Sequence, residues 1–440
     1  MGGSVGSYPC AVARSGRGSW RPLVDEHDDR PSEVDGREDR RPAGSPRTPS
    51  GDRSMSMLLV HEWISPTGGS ERVFDRMVDA FPEARVLCLW NDDHDRYPGR
   101  TVEQTWLART PLRRHKPLAL AASVLAWRGV DTSDADVVLV SSHAFAHHVG
   151  RRARAGHGRK LVYVHTPARY LWARDQDARG GVAASVLAAP ALRTIDRARA
   201  DAATEYVANS HFVRRRIESA WHREARVIHP PVAVERIQGT SVWGDRVVGD
   251  ERAVLDRLPA TFLLGVSRFI GYKRLDLVVA AGEAAGLPVV LAGAGPEEEV
   301  LRQRGAEATV PVTIVRQPSD ELLYALYERA LALVFPAVED FGIVPVEAMA
   351  CGTPVVVNAA GGAPEAVMPP AGGVTVSRFG RAELADAVSS AAGLDRAGVA
   401  VHARRFSTRR FDAELRGWVT GRREPVDDPQ VRPAPGADRG

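Results

Sequence analysis

Short apolar runs rich in β-branched residues alternate with helix-like patterns along most of this 440-residue chain. Two series of these runs lie on either side of a polar stretch near 239–251. The first series predicts strands at 57–60, 86–89, 137–140, 161–164, 205–207 and 227–228. The second predicts strands at 262–266, 289–292, 312–315, 333–335 and 355–357. Repeated strand, crossover and strand predict an α/β fold with two doubly wound parallel sheets.

The length of the chain supports two domains, because a single hydrophobic core stops growing at roughly 250 to 300 residues. We predict a Rossmann-like domain at 55–238, completed by a C-terminal helix at 408–422, and a second at 250–405 across a cleft. Residues 1–54 and 424–440 are polar and lack apolar periodicity, so both are predicted to be disordered. Translation from Met55 is one hypothesis for the first segment, and a mass spectrum of the native protein would test it.

Composition excludes several classes of protein. The 58 basic residues are balanced by 55 acidic ones, which argues against a dedicated nucleic-acid binder. Cys10, Cys88 and Cys351 are far apart and predict neither disulfides nor a paired metal-ligand motif. No apolar run approaches the ~20 residues of a membrane span, and no signal-peptide pattern follows Met1. We therefore expect a cytoplasmic protein.

The segment from Glu339 to Glu347 is the strongest functional signal, because ligands of doubly wound sheets bind beyond the carboxyl ends of the strands. Pro345 suits the first turn of a helix, so the amides at 342–344 predict an anion site. The two carboxylates could accept hydrogen bonds from sugar or ribose hydroxyls. The alternative is that Glu339 merely begins a loop and that Glu347 is a solvated helix residue.

Arg268 and Lys273 follow the first strand of the second series, where two cations could bind a diphosphate. A solvated basic loop is the alternative. In the first series, Gly69 opens a helix and permits close backbone approach to a ligand. Neither this segment nor Gly293-Ala-Gly295 completes a dinucleotide fingerprint or a P-loop, which disfavours a dehydrogenase or an NTPase.

Histidines follow two strands of the first series. His165 ends a predicted strand and is expected to face the cleft, although a lone histidine is more often structural. His143, His147 and His148 raise the question of a metal site, but the sequence shows no third ligand nearby. We therefore predict no metal site. The basic residues that could contact an anionic membrane surface are Arg109, Arg113, Arg114, Lys116, Arg151, Arg152 and Arg154.

Taken together, these residues resemble family 4 of the retaining glycosyltransferases, which have the GT-B fold. The similarity extends over 61–419. The segment from Glu339 to Glu347 resembles the family's E-x7-E element, and the loop with Arg268 and Lys273 resembles its diphosphate-binding loop.

The resemblance implies a role for each residue. Glu347 would hold the ribose hydroxyls, Glu339 the donor sugar, and Gly69 would approach the diphosphate from the opposite domain. The amides that would bind the sugar and phosphates are those of Phe341, Gly342, Ile343 and Val344. Segments 164–172, 208–212 and 228–231 resemble a bacterial subgroup with mannosyltransferases of O-antigen and exopolysaccharide assembly. This implies GDP-mannose as donor and a glycan or polyprenyl-linked saccharide as acceptor.

The expected function is metal-independent sugar transfer with retention and without a cofactor. Arg268, Lys273 and the helix N-terminus would stabilise the charge on the departing phosphate. His165 and Glu339 complete the predicted catalytic set, with His165 orienting the sugar or the acceptor. The alternatives are a nucleotide-sugar epimerase or hydrolase and a non-catalytic nucleotide-sugar-binding subunit of a polysaccharide complex.

Overall fold

The computed structural model describes residues 55–66, 68–150, 158–173 and 183–422, and the termini predicted to be disordered lie outside these ranges. The first sheet comprises β1 (Met57–His61), β2 (Arg85–Cys88), β3 (Val102–Gln104), β4 (Val137–Ser142), β5 (Arg159–Val164), β6 (Glu205–Ala208) and β7 (Arg226–Val227). The second comprises β8 (Leu263–Val266), β9 (Val289–Gly293), β10 (Val312–Arg316), β11 (Ala332–Phe335), β12 (Val355–Asn358) and β13 (Gly373–Val376).

Helices connect the strands in both sheets. Those before the second sheet are α1 (Gly69–Ala80), α2 (Lys116–Arg128), α3 (Arg169–Trp172), α4 (Ala183–Arg199), α5 (His211–Trp221), α6 (Val234–Gln238) and α7 (Gly249–Arg257). Those that follow are α8 (Asp276–Ala285), α9 (Glu298–Ala306), α10 (Asp320–Arg329), α11 (Ile343–Ala350), α12 (Ala363–Val367), α13 (Arg381–Ala392), α14 (Arg396–Ala403) and α15 (Thr408–Thr420). None of the described helices combines the length and the apolar composition that a membrane span requires.

The two sheets share one topology. The first has the order β3-β2-β1-β4-β5-β6-β7 and the second the order β10-β9-β8-β11-β12-β13. The strand pairs in both are parallel, and both sheets lie in one compact unit that begins at Ser56. The strand order reverses between β1 and β4 and again between β8 and β11, which are the places where such sheets bind ligands. The predicted fold of two doubly wound parallel sheets is confirmed.

Alternate residues of each strand supply two cores. Leu58 and Val60 pack under one face of the first sheet, whereas Met57 and Leu59 pack under the other. The second sheet is likewise covered on both faces. Because successive side chains of a strand point to opposite faces, strands buried on both faces are continuously apolar, and this is the pattern that revealed them in the sequence.

The prediction missed one strand in each sheet, and both lie at an edge. β3 is short and only partly buried, so its sequence lacks a continuous apolar run. β13 begins at Gly373, where an added Cβ would lie 1.9 Å from the carbonyl oxygen of Val355. The close approach of β13 to β12 therefore requires glycine, which weakens the strand signal.

The last helix returns to the first sheet. Phe411, Leu415, Trp418 and Val419 of α15 pack in the same core as Met57 and Leu59 of β1. Just before the helix, the backbone N–H of Val232 donates to the carbonyl of Phe406 at 2.9 Å. The chain therefore passes between the sheets at two adjacent segments.

Candidate functional site

The loop after β11 carries Glu339 and Asp340 to the carboxyl edge of the second sheet. The N–H of Gly362 donates to the carbonyl of Glu339 at 2.7 Å, and an added Cβ on Gly362 would lie 2.0 Å from the carbonyl oxygen of Asp340. Gly361 has a φ of +100°, which glycine adopts without strain. Gly342, with a φ of +96°, then turns the chain into α11. Backbone contact with these glycines holds the loop in place.

The loop after β8 brings Lys273 to Glu339. The Lys273 ammonium donates a hydrogen bond to Glu339 Oε1, and both side chains are largely buried. Lys273 ends a 3₁₀ turn, Gly271–Lys273, and Arg274 after it adopts a left-handed conformation with φ of 52°. Arg268 lies exposed in the same loop. The structure thus brings two of the predicted site residues together where the strand order reverses.

The partial glycine motif after β9 has a steric explanation. A Cβ on Gly293 would lie 1.9 Å from the carbonyl oxygen of Ser267, and one on Gly295 would lie 2.5 Å from that of Phe269. Both glycines let this turn touch the loop that carries Lys273. They support the site by close approach of two backbone segments.

Glu347 is buried on α11, not solvated, with 5% of its surface exposed. Its Oε1 accepts a hydrogen bond from Arg72 Nη1 of α1 at 2.8 Å, and its Oε2 lies 3.5 Å from the Tyr327 hydroxyl. The carboxylate is the main cause that raises the pKa of Arg72. Sequence reasoning missed Arg72, whose only local signal is its place one turn after Gly69.

The amino ends of α1 and α11 face each other. A Cβ added at Gly69 would lie 3.4 Å from the Ile343 side chain. Phe341 is buried against the rings of His229 and Phe406, whereas Val344 is half-buried on the first turn of α11. The predicted residues of this segment therefore divide into a buried anchor and a partly accessible helix start.

His165 lies at the end of β5 in a hydrogen-bonded chain. Its Nε2 is 2.8 Å from Ser141 Oγ, which is 3.0 Å from Nδ1 of His61. Burial, and then the nearby imidazoles of His143 and His61, hold the pKa of His165 well below its usual value. The imidazole is therefore neutral near pH 7, which suits hydrogen bonding to a hydroxyl group.

Glu62 is a buried carboxylate that the sequence did not single out. It accepts hydrogen bonds from the backbone N–H groups of His143, Ala144 and Ala146 at 3.0, 2.8 and 2.6 Å. Its Oε2 lies 3.3 Å from His143 Nδ1, and with His61 these groups lie close enough to share an ion. The backbone hydrogen bonds show that Glu62 holds the loop after β4.

The sequence shows no third ligand beside His147 and His148, but the structure places Asp196 next to both. Asp196 of α4 lies 3.1 Å from Nε2 of His147 and 2.9 Å from Nε2 of His148. The same carboxylate accepts hydrogen bonds from the indole N–H groups of Trp172 and Trp221, each at 2.7 Å. These donors account for both oxygens of Asp196 and make the cluster a buried hydrogen-bonded hub. The sequence separation of the histidines and Asp196 hid it.

Arg169 and Arg216 extend from the first sheet's side to Asp340. Arg169 Nε donates to Asp340 Oδ2 at 3.0 Å, and Arg216 Nη1 donates to Oδ1 at 2.7 Å. Arg169 Nη2 also lies 3.7 Å from Glu339 Oε2. Sequence reasoning missed both arginines. The one available signal was the position of Arg169, four residues after His165 at a strand end.

Two family models match the chain in succession. The model described as Glycosyltransferase Family 4 matches residues 67–236, and the one described as Glycosyl transferases group 1 matches residues 251–394. A related protein, the D-inositol 3-phosphate glycosyltransferase of Mycobacterium avium, is 30% identical over 243 residues. The alignment covers 50% of this chain and 55% of that protein, so it spans about half the length of the relative.

Solved structures share the fold at low sequence identity. The structure of Anabaena HepE in complex with UDP aligns with a TM-score of 0.62 at 17% identity, covering 83% of this chain and 100% of that one. The sucrose-phosphate synthase of Thermosynechococcus elongatus aligns with a TM-score of 0.60 at 18% identity, covering 84% and 99%. Because the two family matches cover β2–β7 and β8–β13 in succession and these structures share the fold, the chain belongs to the family 4 glycosyltransferases with the GT-B fold.

Proposed function

We propose that the chain is a retaining, metal-independent hexosyltransferase that uses a nucleotide-diphosphate sugar. The observation that supports this most is the contact between Lys273 and Glu339 beside the start of α11. This contact joins a cation to a hydrogen-bond acceptor, and α11 begins four residues after Glu339. A phosphate, a sugar hydroxyl and a ribose would each find a suitable partner there, the ribose at Glu347.

The proposed step breaks the bond between the anomeric carbon and the β-phosphate oxygen, and the electron pair stays on that oxygen. Lys273, Arg268 and the amides at the start of α11 would stabilise the resulting charge. The acceptor hydroxyl would bond to the anomeric carbon from the face that the diphosphate leaves. Its proton would pass to the departing phosphate. His165 would orient the sugar or the acceptor through hydrogen bonds.

For the donor we propose GDP-mannose, because segments 164–172, 208–212 and 228–231 resemble bacterial mannosyltransferases. A uridine-diphosphate sugar is the second candidate, because structures of Anabaena HepE contain UDP and UDP-glucose. For the acceptor we propose a glycan or a polyprenyl-linked saccharide. The relative named for D-inositol 3-phosphate makes a small phosphorylated polyol the second candidate.

Calorimetric titration of the full chain with GDP-mannose, UDP-glucose, UDP-GlcNAc, GDP and UDP, all with EDTA, tests the donor. We expect one nucleotide series to bind and Lys273→Ala to weaken it about 10-fold or more, since charge-assisted hydrogen bonds contribute about 1.5–3 kcal/mol. Arg274→Ala, which removes an adjacent exposed cation paired with Asp276, is the matched control. Equal binding by both variants would contradict the donor site.

Product analysis tests the reaction. We expect sugar transfer that depends on an added acceptor, and a product whose anomeric configuration in NMR spectra equals that of the donor. Release of free sugar at the same rate without acceptor would favour a hydrolase. Binding of nucleotide sugar without any turnover over a broad acceptor set would favour the non-catalytic subunit.

We further propose a cytoplasmic location with peripheral contact at an anionic membrane surface. The 3₁₀ turns and α2 expose Trp106, Leu118 and Leu125 beside Arg109 and Arg113. The basic residues at 151–154 lie outside the described residues. Flotation with phosphatidylglycerol vesicles should be lost in Leu125→Glu and kept in Val300→Glu, because both side chains are 62% exposed but only Leu125 lies on this surface. Equal flotation of both variants would contradict the contact.

A further inference from the structure

Arg169 is a largely buried cation that the proposed mechanism does not use. It is the first residue of α3, in the segment that follows β5 of the first sheet. Its guanidinium nevertheless lies among groups of the second sheet's loops: Nε and Nη2 both donate to Asp340 Oδ2. The side chain is 16% exposed. Arg169 is therefore a cation from one half of the molecule that is held inside the candidate site of the other.

We propose that Arg169 is a catalytic residue that binds the departing diphosphate, and that Asp340 is the positioning residue that holds it there. The inference rests on the proposed function. Arg169 Nη2 lies 3.7 Å from Oε2 of Glu339, and the other oxygen of Glu339 accepts from Lys273. Two cations from different halves of the molecule thus flank one carboxylate. A donor whose sugar engages Glu339 would place its phosphates within reach of both.

Asp340 is suited to a positioning role because its carboxylate is nearly enclosed by protein groups. Its side chain is 9% exposed, Oδ1 accepts from Arg216 Nη1 at 2.7 Å, and Oδ2 accepts from Arg169. Its backbone carbonyl accepts from Ser210 Oγ at 2.5 Å. A carboxylate fixed on both sides holds the Arg169 guanidinium in a single orientation, so little reorganisation is needed when charge develops nearby.

The surroundings of Arg169 keep it charged. Burial opposes the charged form, but Asp340 and then Glu339 outweigh it and raise the pKa of Arg169 above its ordinary value. In the transfer step, Arg169 would bind the β-phosphate oxygen that retains the electron pair of the broken bond. The acceptor proton still ends on that phosphate, so the step balances without another reactant.

The location of Arg169 predicts that its substitution lowers kcat much more than it weakens donor binding. Lys273, Glu339 and Glu347 belong to the second sheet's half and would bind the nucleotide sugar without Arg169. We expect Arg169→Ala to change the dissociation constant of the nucleotide sugar less than about threefold, because the charge that Arg169 would stabilise has not yet developed in the intact donor. The value of kcat should fall about 100-fold or more, as expected when a donor to a developing oxyanion is removed.

Three further variants separate catalysis from structure. Arg169→Lys keeps the charge but loses the planar fork, so it should retain part of the lost rate. Asp340→Asn should lower kcat with Arg169 still present. Arg214→Ala on α5, a half-buried arginine paired with Glu218, should behave as wild type. Added guanidinium should raise the rate of Arg169→Ala and leave that of Lys273→Ala unchanged, which loss of a structural contact would not produce.

Several results would overturn the inference. If wild type transfers sugar and Arg169→Ala transfers equally well, the arginine is not catalytic while the proposed function stands. If Arg169→Ala weakens binding of the intact nucleotide sugar as much as Lys273→Ala does, Arg169 is a ground-state ligand. If guanidinium gives no rescue of a variant with a wild-type unfolding transition, Arg169 only holds the two halves together. If wild type binds no nucleotide sugar, the proposed function fails and the inference fails with it.

Discussion

The guanidinium of Arg72 on α1 donates a hydrogen bond to the Glu347 carboxylate on α11, 275 residues further along the chain. Under the proposed function, this is the carboxylate that receives the ribose hydroxyls. The arginine would therefore compete with the ligand for the same carboxylate.

We expect Arg72→Ala to tighten binding of the nucleoside diphosphate by a factor of about 1.4 to 5. The arginine side chain is 60% exposed, and exposed ion pairs contribute about 0.2–1 kcal/mol. Calorimetric titration at two salt concentrations measures the change, which should shrink as salt screens the pair. Arg252→Ala, an exposed helix arginine paired with Asp256, serves as control. Weaker binding in Arg72→Ala would instead identify the arginine as a ligand of the nucleotide.

Substitution of Gly362 should abolish activity by moving the Asp340 loop. The new Cβ would lie 2.0 Å from the carbonyl oxygen of Asp340, a backbone atom that cannot move alone. Gly380→Ala is the matched control, because nothing lies within 4 Å of its Cβ. We expect Gly362→Ala to lose transfer activity and Gly380→Ala to keep it, at equal protein concentration. Full activity in Gly362→Ala would show that the position of the loop is not critical.

Asp196→Ala should lower the free energy of unfolding by about 3–5 kcal/mol, because removing one partner leaves buried donors without acceptors. The affected groups are the two indole N–H groups of Trp172 and Trp221 and the imidazole of His148. Asp201→Ala, at an exposed turn, should cost less than about 1 kcal/mol. Urea unfolding followed by tryptophan fluorescence measures both. Similar midpoints for the two variants would exclude a stabilising hub.

The free energy of unfolding should decrease as the pH is lowered below about 6.5. Burial is the main cause that lowers the pKa of His61, His148 and His165, that of His148 to about 3. The unfolded chain, with histidine pKa values near 6.5, then binds more protons than the folded chain, so acid favours unfolding. Each histidine contributes up to about 1.4 kcal/mol per pH unit.

Urea unfolding at pH 7.5, 6.0 and 5.0 measures this slope. His148→Gln should reduce it, whatever the variant does to stability at pH 7.5. The groups that face His148 are His147, Asp196 and Arg199. The pKa of Asp196 is lowered from an already acidic value, so that carboxylate adds its own loss of stability only below pH 4. A flat profile from pH 7.5 to 5.0 would contradict the prediction.

The strands of both sheets were predictable because burial on two faces leaves a continuous apolar run, which Leu58, Leu59 and Val60 illustrate. The predicted donor-binding residues Glu339 and Glu347 were recognisable because they are close in sequence, on one loop and the helix that follows it. Their roles stay predictions until ligands are measured.

Contacts between the halves could not be predicted. Arg72 and Glu347 are 275 residues apart, and Arg169 and Asp340 are 171 apart. Each pair depends on how the two sheets face each other, and no local periodicity carries that information. The cluster around Asp196 was not predicted for the same reason, because His148 and Asp196 are 48 residues apart in sequence.

The return of α15 to the first sheet determines how this protein can be divided. If the chain is divided before α7, the C-terminal fragment keeps α15 but loses the first-sheet core on which Phe411, Leu415 and Trp418 pack. The N-terminal fragment then lacks the helix that covers Leu59. Exchange of the second-sheet half between relatives therefore requires two junctions, one near 239–248 and one near Ser407. A chimera with a single junction should be poorly soluble, whereas one with both should keep each core intact.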